Sequence, residues 1–158
     1  RIGAPIAHTL RAKDIFDYDD EGVIGMTGLI GNPGGYHAVL DCDVLVMLGT
    51  DFPYDEFLPG GIEIIQIDRK VDHIGRRAPV TLGLVGGVKE TLEALDPLIE
   101  SKPGGKFLHH LGHLRDPRAR SRPTASAPPL HSSDSSWWAR SPFPEGSSGV
   151  WVAAALCV

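Results

Sequence analysis

Residues 25 to 68 place a glycine run, Gly25-Met26-Thr27-Gly28-Leu29-Ile30-Gly31, ahead of two apolar runs that each stop at a polar turn. The first, Asp43 to Leu48, gives way to Gly49-Thr50-Asp51-Phe52-Pro53; the second, Ile62 to Ile67, stops at Asp68. Near-continuous apolar runs are the pattern of strands buried on both faces of a parallel sheet. Ligands of such sheets collect in the crevice beyond the carboxyl ends of the strands. A glycine turn and two strand ends, ordered along about forty residues, therefore describe an α/β crevice shaped for a phosphate-bearing cofactor.

The neighbouring segments extend that pattern. Pro5 to His8 predicts a short strand, and residues 10 to 24, with Asp14, Asp17, Asp19, Asp20 and Glu21, an acidic surface loop with one helical turn. Tyr36, Val39 and Leu40 lie at helical spacing after Pro33-Gly34-Gly35, which predicts a short helix near the glycines. Val80 to Val85 predicts another strand. Val88 to Ser101 carries Val88, Leu92, Leu95 and Leu98 or Ile99 on one stripe, an amphipathic helix that Pro97 ends early or kinks. About four strands alternating with helices give an α/β layer architecture.

Behind Lys102 the character changes. Pro103-Gly104-Gly105 opens a stretch rich in Ser, Pro and Arg, without apolar periodicity until the last few residues, and such a stretch is expected to stay disordered. The domain division is therefore 1–102 folded and 103–158 a disordered tail. All three tryptophans, Trp137, Trp138 and Trp151, fall in the tail, and Lys is absent after Lys106, a combination that suggests a reading-frame change near residue 107.

Charge and cysteines narrow the function classes. The formal net charge is −5, and seventeen of the twenty acids precede Lys106, which argues against a nucleic-acid groove and for a small-molecule partner. Cys42 and Cys157 lie far apart and form neither a disulfide framework nor a metal cluster, so the expected setting is cytoplasmic. The longest apolar run falls short of the ~20 residues that cross a bilayer. The absence of an initial Met, a basic n-region and an apolar h-region reads as a chain that opens in the middle of something.

Each chemical candidate carries a plainer reading. The spacing G-x-x-G-x-x-G departs from the dinucleotide fingerprint and by itself favours a structural turn; Thr27 within it adds a hydroxyl and free amides for phosphate or ribose oxygens. Thr50 and Asp51 stand at one strand end, Asp68 at the next, where a carboxylate can accept ribose hydroxyls. Asp68 could equally cap Arg69 to Ile74, and Asp51 the turn Tyr54 to Phe57. His109, His110 and His113 form H-H-x-x-H without the Glu of a zinc protease and read as inert. His37, on the short helix, reads as a packed or solvent-edge residue rather than a base. No G-x-S-x-G elbow and no Walker loop occurs.

In combination, Gly25 to Gly31, Gly35-Tyr36-His37, Cys42-Asp43, Leu48-Gly49-Thr50-Asp51-Phe52-Pro53-Tyr54 and Ile64-Ile65-Gln66-Ile67-Asp68 resemble the central domain of thiamine-diphosphate-dependent pyruvate oxidases, particularly the quinone-linked pyruvate dehydrogenase type; acetolactate synthases match less well. The resemblance runs from Arg1 to about Lys102. It implies a Rossmann-like sheet that binds FAD through Thr27, Gly28, Leu29, Ile30, Thr50, Asp51, Phe52, Pro53 and Asp68, in a homotetrameric parent whose thiamine diphosphate and Mg2+ are held by other domains. Gly-Asp-Gly, the thiamine-side motif of that family, is absent, so the resemblance implies no catalytic residue here and no pyruvate decarboxylation by this chain alone. It also implies that the family's first strand precedes Arg1, which would leave an open edge and a marginal fold. The alternatives are a remnant without ligand and a stand-alone NAD- or FAD-binding module of sirtuin-like topology.

Overall fold

The computed structural model describes residues 2–17, 19–101, 108, 109, 111 and 114 and, for the backbone alone, 152–156. Its strands are β1 (Ile6–His8), β2 (Val23–Met26), β3 (Val44–Leu48), β4 (Glu63–Asp68), β5 (Leu82–Val85) and β6 (Val152–Leu156), with helices α1 (Pro33–Leu40) and α2 (Val88–Leu95). They form one parallel sheet in the order β2-β1-β6-β3-β4-β5. The expected α/β parallel architecture is present.

The four expected strands appear as β1, β3, β4 and β5, and two more accompany them. β2 lies at the end of the predicted acidic loop and takes in Gly25 of the glycine run, so that run begins as a strand. β6 falls within residues 103–158, and its backbone occupies the sheet centre, pairing with both β1 and β3. Leu111 is fully buried in the core, and Leu108 and Leu114 pack against the same cluster. Of the histidine motif, His109 is described and exposed, while His110 and His113 lie outside the described residues. The sheet's two open edges are β2 and β5.

Local chemistry explains the bounds. Asn32 caps α1 by accepting from the Gly35 amide at 2.7 Å, and Pro33 takes the first helical position, where no N–H is missed. A Cβ on Gly35 would strike the Met26 carbonyl, so glycine permits the helix to sit against the end of β2. α2 ends at Leu95 and gives way to a 3-10 turn, Asp96–Leu98, which holds the proline expected to shorten it. No residue of α2 is buried. The core is built from Ala7, Ile24, Ala38, Val39, Leu45, Met47, Phe52, Ile64 and Leu111, which joins α1 to the central strands.

Candidate functional site

A cleft of about 1140 Å³ opens at the carboxyl ends of the strands. All nine residues expected at a cofactor line it: Thr27, Gly28, Leu29, Ile30, Thr50, Asp51, Phe52, Pro53 and Asp68. The turn after β2 is closed by Gly31 N–H donating to the Gly28 carbonyl at 2.8 Å, and Thr27 N–H donates to the His8 carbonyl at 3.0 Å, tying the turn to the end of β1. Gly25 and Gly28 have φ of +119° and +96°, the left-handed region that glycine adopts without strain. At Gly28 an added Cβ would also press to 3.3 Å from the Phe52 ring, across the cleft floor. Leu29 and Ile30 stay exposed as an apolar lip.

Three threonines define the polar character of the floor. The Oγ1 atoms of Thr9, Thr27 and Thr50 are buried and have no hydrogen-bond partner among the described residues, and all three residues line the cleft. A buried hydroxyl without a partner costs free energy, about 1–3 kcal/mol in protein mutational data. Three such hydroxyls on residues of one cleft lining leave hydrogen-bonding capacity that a ligand with several polar atoms would use.

The two carboxylates hold the loop after β4. Asp68 Oδ1 accepts from the Lys70 amide at 2.8 Å and its Oδ2 lies 3.1 Å from His73 Nδ1. Asp51 Oδ1 accepts from Arg77 Nε and Oδ2 from Arg76 Nη1, each at 3.1 Å. The capping role considered for Asp68 is therefore realised toward Lys70, whereas Asp51 makes a long-range ion pair rather than capping Tyr54 to Phe57. Between them Gln66, buried on β4, donates from Nε2 to the Thr50 and His73 carbonyls at 3.1 Å each and accepts from the Gly75 amide at 2.9 Å. Gln66 thus joins the turn after β3 to the loop after β4. His37 is a packed residue, its Nδ1 2.9 Å from Asp41 Oδ2.

Sequence reasoning missed Thr9, Arg11, Arg69, Lys70, His73, Arg77 and Lys89, which also line the cleft. The rule that identified Thr50 applies to Thr9 as well, since it follows β1 directly. The cations give the acidic chain a positive rim suited to an anionic ligand. Among the described residues no group of His, Cys, Asp and Glu is placed to hold a metal ion, and no helix is long and apolar enough to cross a membrane.

The residue pattern matches a family model described as thiamine pyrophosphate enzyme, central domain, over residues 1–95. Similar proteins include an uncharacterized 42.6 kDa protein in the isoamylase 3′ region of Pseudomonas amyloderamosa, 43% identical over 145 residues, which cover 88% of this chain and 37% of that protein. The putative thiamine pyrophosphate-containing protein YdaP of Bacillus subtilis (strain 168) is 39% identical over 72% of this chain and 20% of its own length. The acetolactate synthase large subunit of Porphyra purpurea is 31% identical over 61% of this chain and 17% of its own length. The chain thus spans between about a sixth and somewhat over a third of the length of these relatives. Since the model covers both the glycine turn and the two strand ends that build the cleft, the chain belongs to the family of thiamine pyrophosphate enzyme central domains.

Proposed function

We propose that this chain is the FAD-binding part of a thiamine-diphosphate-dependent, pyruvate-oxidising enzyme. The observation that carries the reading is the meeting of nine expected contact residues with three unpartnered, buried threonine hydroxyls in one cleft rimmed by Arg11, Arg69, Lys70, Arg77 and Lys89. The hydroxyls and cations fit the ribitol, ribose and pyrophosphate oxygens of a flavin dinucleotide, and the backbone amides of Thr27 to Ile30 and Thr50 to Pro53 add donors. FAD, when bound, supplies a two-electron acceptor. This chain's residues bind and orient it, and Leu29, Ile30 and Phe52 shield it from water.

The groups that would hold thiamine diphosphate and Mg2+ are assigned to other parts of the whole protein, because Gly-Asp-Gly does not occur here. In this reading the whole protein is a cytoplasmic homotetramer and this chain alone turns over no pyruvate. A second reading, an acetolactate-synthase-like central domain, is supported by the relative of that name. Both predict a flavin.

The test is to mix the full chain with FAD, remove free ligand by desalting and record flavin absorbance in the protein fraction. Stoichiometric flavin is expected. Protein that elutes folded and colourless overturns the proposal, and NAD turnover by the same fraction would favour the stand-alone nucleotide module.

A further inference from the structure

β1 and β3 do not pair with each other; each pairs with β6, Ile6–His8 against Ala154–Leu156 and Val44–Leu48 against Val152–Leu156. The sheet therefore falls into two groups, β1 with β2 and β3 with β4 and β5, joined through the last strand in the sequence. The cleft draws on both groups. Thr9, Arg11 and Thr27 to Ile30 come from the first, Gly49 to Tyr54 and Asp68 to Lys70 from the second. With neighbouring strands ~4.8 Å apart, one inserted strand holds β1 and β3 about 10 Å apart and so sets the separation of the two walls.

That strand is weakly held by its composition. Central strands of parallel sheets are rich in Val, Ile and Leu, as the Val-Leu-Val-Met-Leu of β3 is. β6 reads Val-Ala-Ala-Ala-Leu. Alanine is depleted in strands, so the β6 sequence has little intrinsic preference for this place and the backbone ladders to β1 and β3 are what the structure gives for its attachment. Contacts such as Tyr36 of α1 against Phe57, at 6.0 Å between ring centroids, keep the two groups together without it.

We infer that Val152–Leu156 is an exchangeable strand that enters a slot between β1 and β3, and that its insertion brings the two walls of the cleft into binding register. A ligand that binds only the inserted state then stabilises insertion by mass action. This coupling to FAD rests on the proposed function; the insertion itself does not.

Hydrogen exchange on the full chain tests both. Without ligand, the amides of Val152–Leu156 should exchange roughly tenfold or more faster than those of Glu63–Asp68, because a locally opening unit exchanges ahead of the rest. Equal rates would mean one cooperative sheet and would overturn the inference. Ala154→Pro, which removes a ladder donor, should speed exchange at Ile6–His8 and Val44–Leu48 while Ser147→Pro does not; unchanged rates in β1 and β3 would also overturn it. If Ala154→Pro fails to fold, the wild-type comparison decides. Saturating FAD should slow exchange of β6 roughly tenfold or more. Bound FAD with unchanged β6 exchange would overturn the coupling, whereas failure of FAD to bind at all would overturn the proposed function and leave the insertion to the first two measurements. Pairing of β6 with a second copy, seen as a dimer that Ala154→Pro dissolves, would overturn insertion within one chain.

Discussion

Arg77 donates from Nε to Asp51 Oδ1 at 3.1 Å, across a separation of 26 residues, while Arg76 takes the other carboxylate oxygen. The pair fixes the loop after β4 against the turn after β3, and Arg77 also lines the cleft. Asp51 in this arrangement positions a cation as well as lining the site. Asp51→Asn should weaken FAD binding about tenfold, since a tenfold change is 1.4 kcal/mol, within the range of a charge-assisted hydrogen bond. Because Arg76 is half exposed, the loss of stability should stay within about 1 kcal/mol. Parallel ligand titration and urea unfolding check this; unchanged affinity would show that Arg77 does not act on the ligand.

Gln66 is more deeply placed, and its loss should act on stability first. Gln66→Leu leaves the Thr50 and His73 carbonyls and the Gly75 amide without their side-chain partner. The expected cost is about 2–3 kcal/mol, from unmade hydrogen bonds at a buried site. Gln66→Glu should cost more, because a carboxylate would face two carbonyl oxygens. Thermal unfolding of the two variants measures the order.

Gly25 and Gly35 make close approaches of different kinds. At Gly25 the φ of +119° and the Asn32 side-chain amide both oppose a Cβ, whereas at Gly35 a Cβ meets the Met26 backbone carbonyl. A side chain can swing aside and a strand backbone cannot. Gly35→Ala is expected to be the more damaging of the two in soluble yield and thermal midpoint, with Gly25→Ala costing about 1–3 kcal/mol through backbone strain.

Much of this was legible in the sequence. β3 and β4 are near-continuous apolar runs with abrupt polar ends, so Thr50, Asp51 and Asp68 fell at the cleft by position alone. β2 was concealed because Val-Ile-Gly-Met is short and interrupted by glycine. β6 was concealed because alanine carries no strand signal and the preceding residues read as a tail. The role of Asp51 depends on Arg76 and Arg77, and that of Gln66 on backbone atoms from two loops; such long-range partners leave no local pattern. Leu111 was passed over for the same reason, as a single apolar residue in a polar, histidine-rich segment.

The threonine hydroxyls give the most direct test, because the proposed function and bare structure predict opposite signs. Without a ligand, Thr50→Val and Thr27→Val remove buried hydroxyls that have no partner, so each should leave the unliganded chain equally stable or raise its stability by about 1 kcal/mol. With FAD, each should weaken binding roughly tenfold, the loss of about one hydrogen bond. The decisive measurement is therefore equilibrium dialysis of FAD against the wild-type chain and the Thr27→Val, Thr50→Val double variant. Saturable, stoichiometric binding by the wild type and a loss of roughly a hundredfold in the double variant is the predicted result. Equal binding by the two chains, or no binding by a folded wild type, would contradict the assignment of this cleft to the flavin.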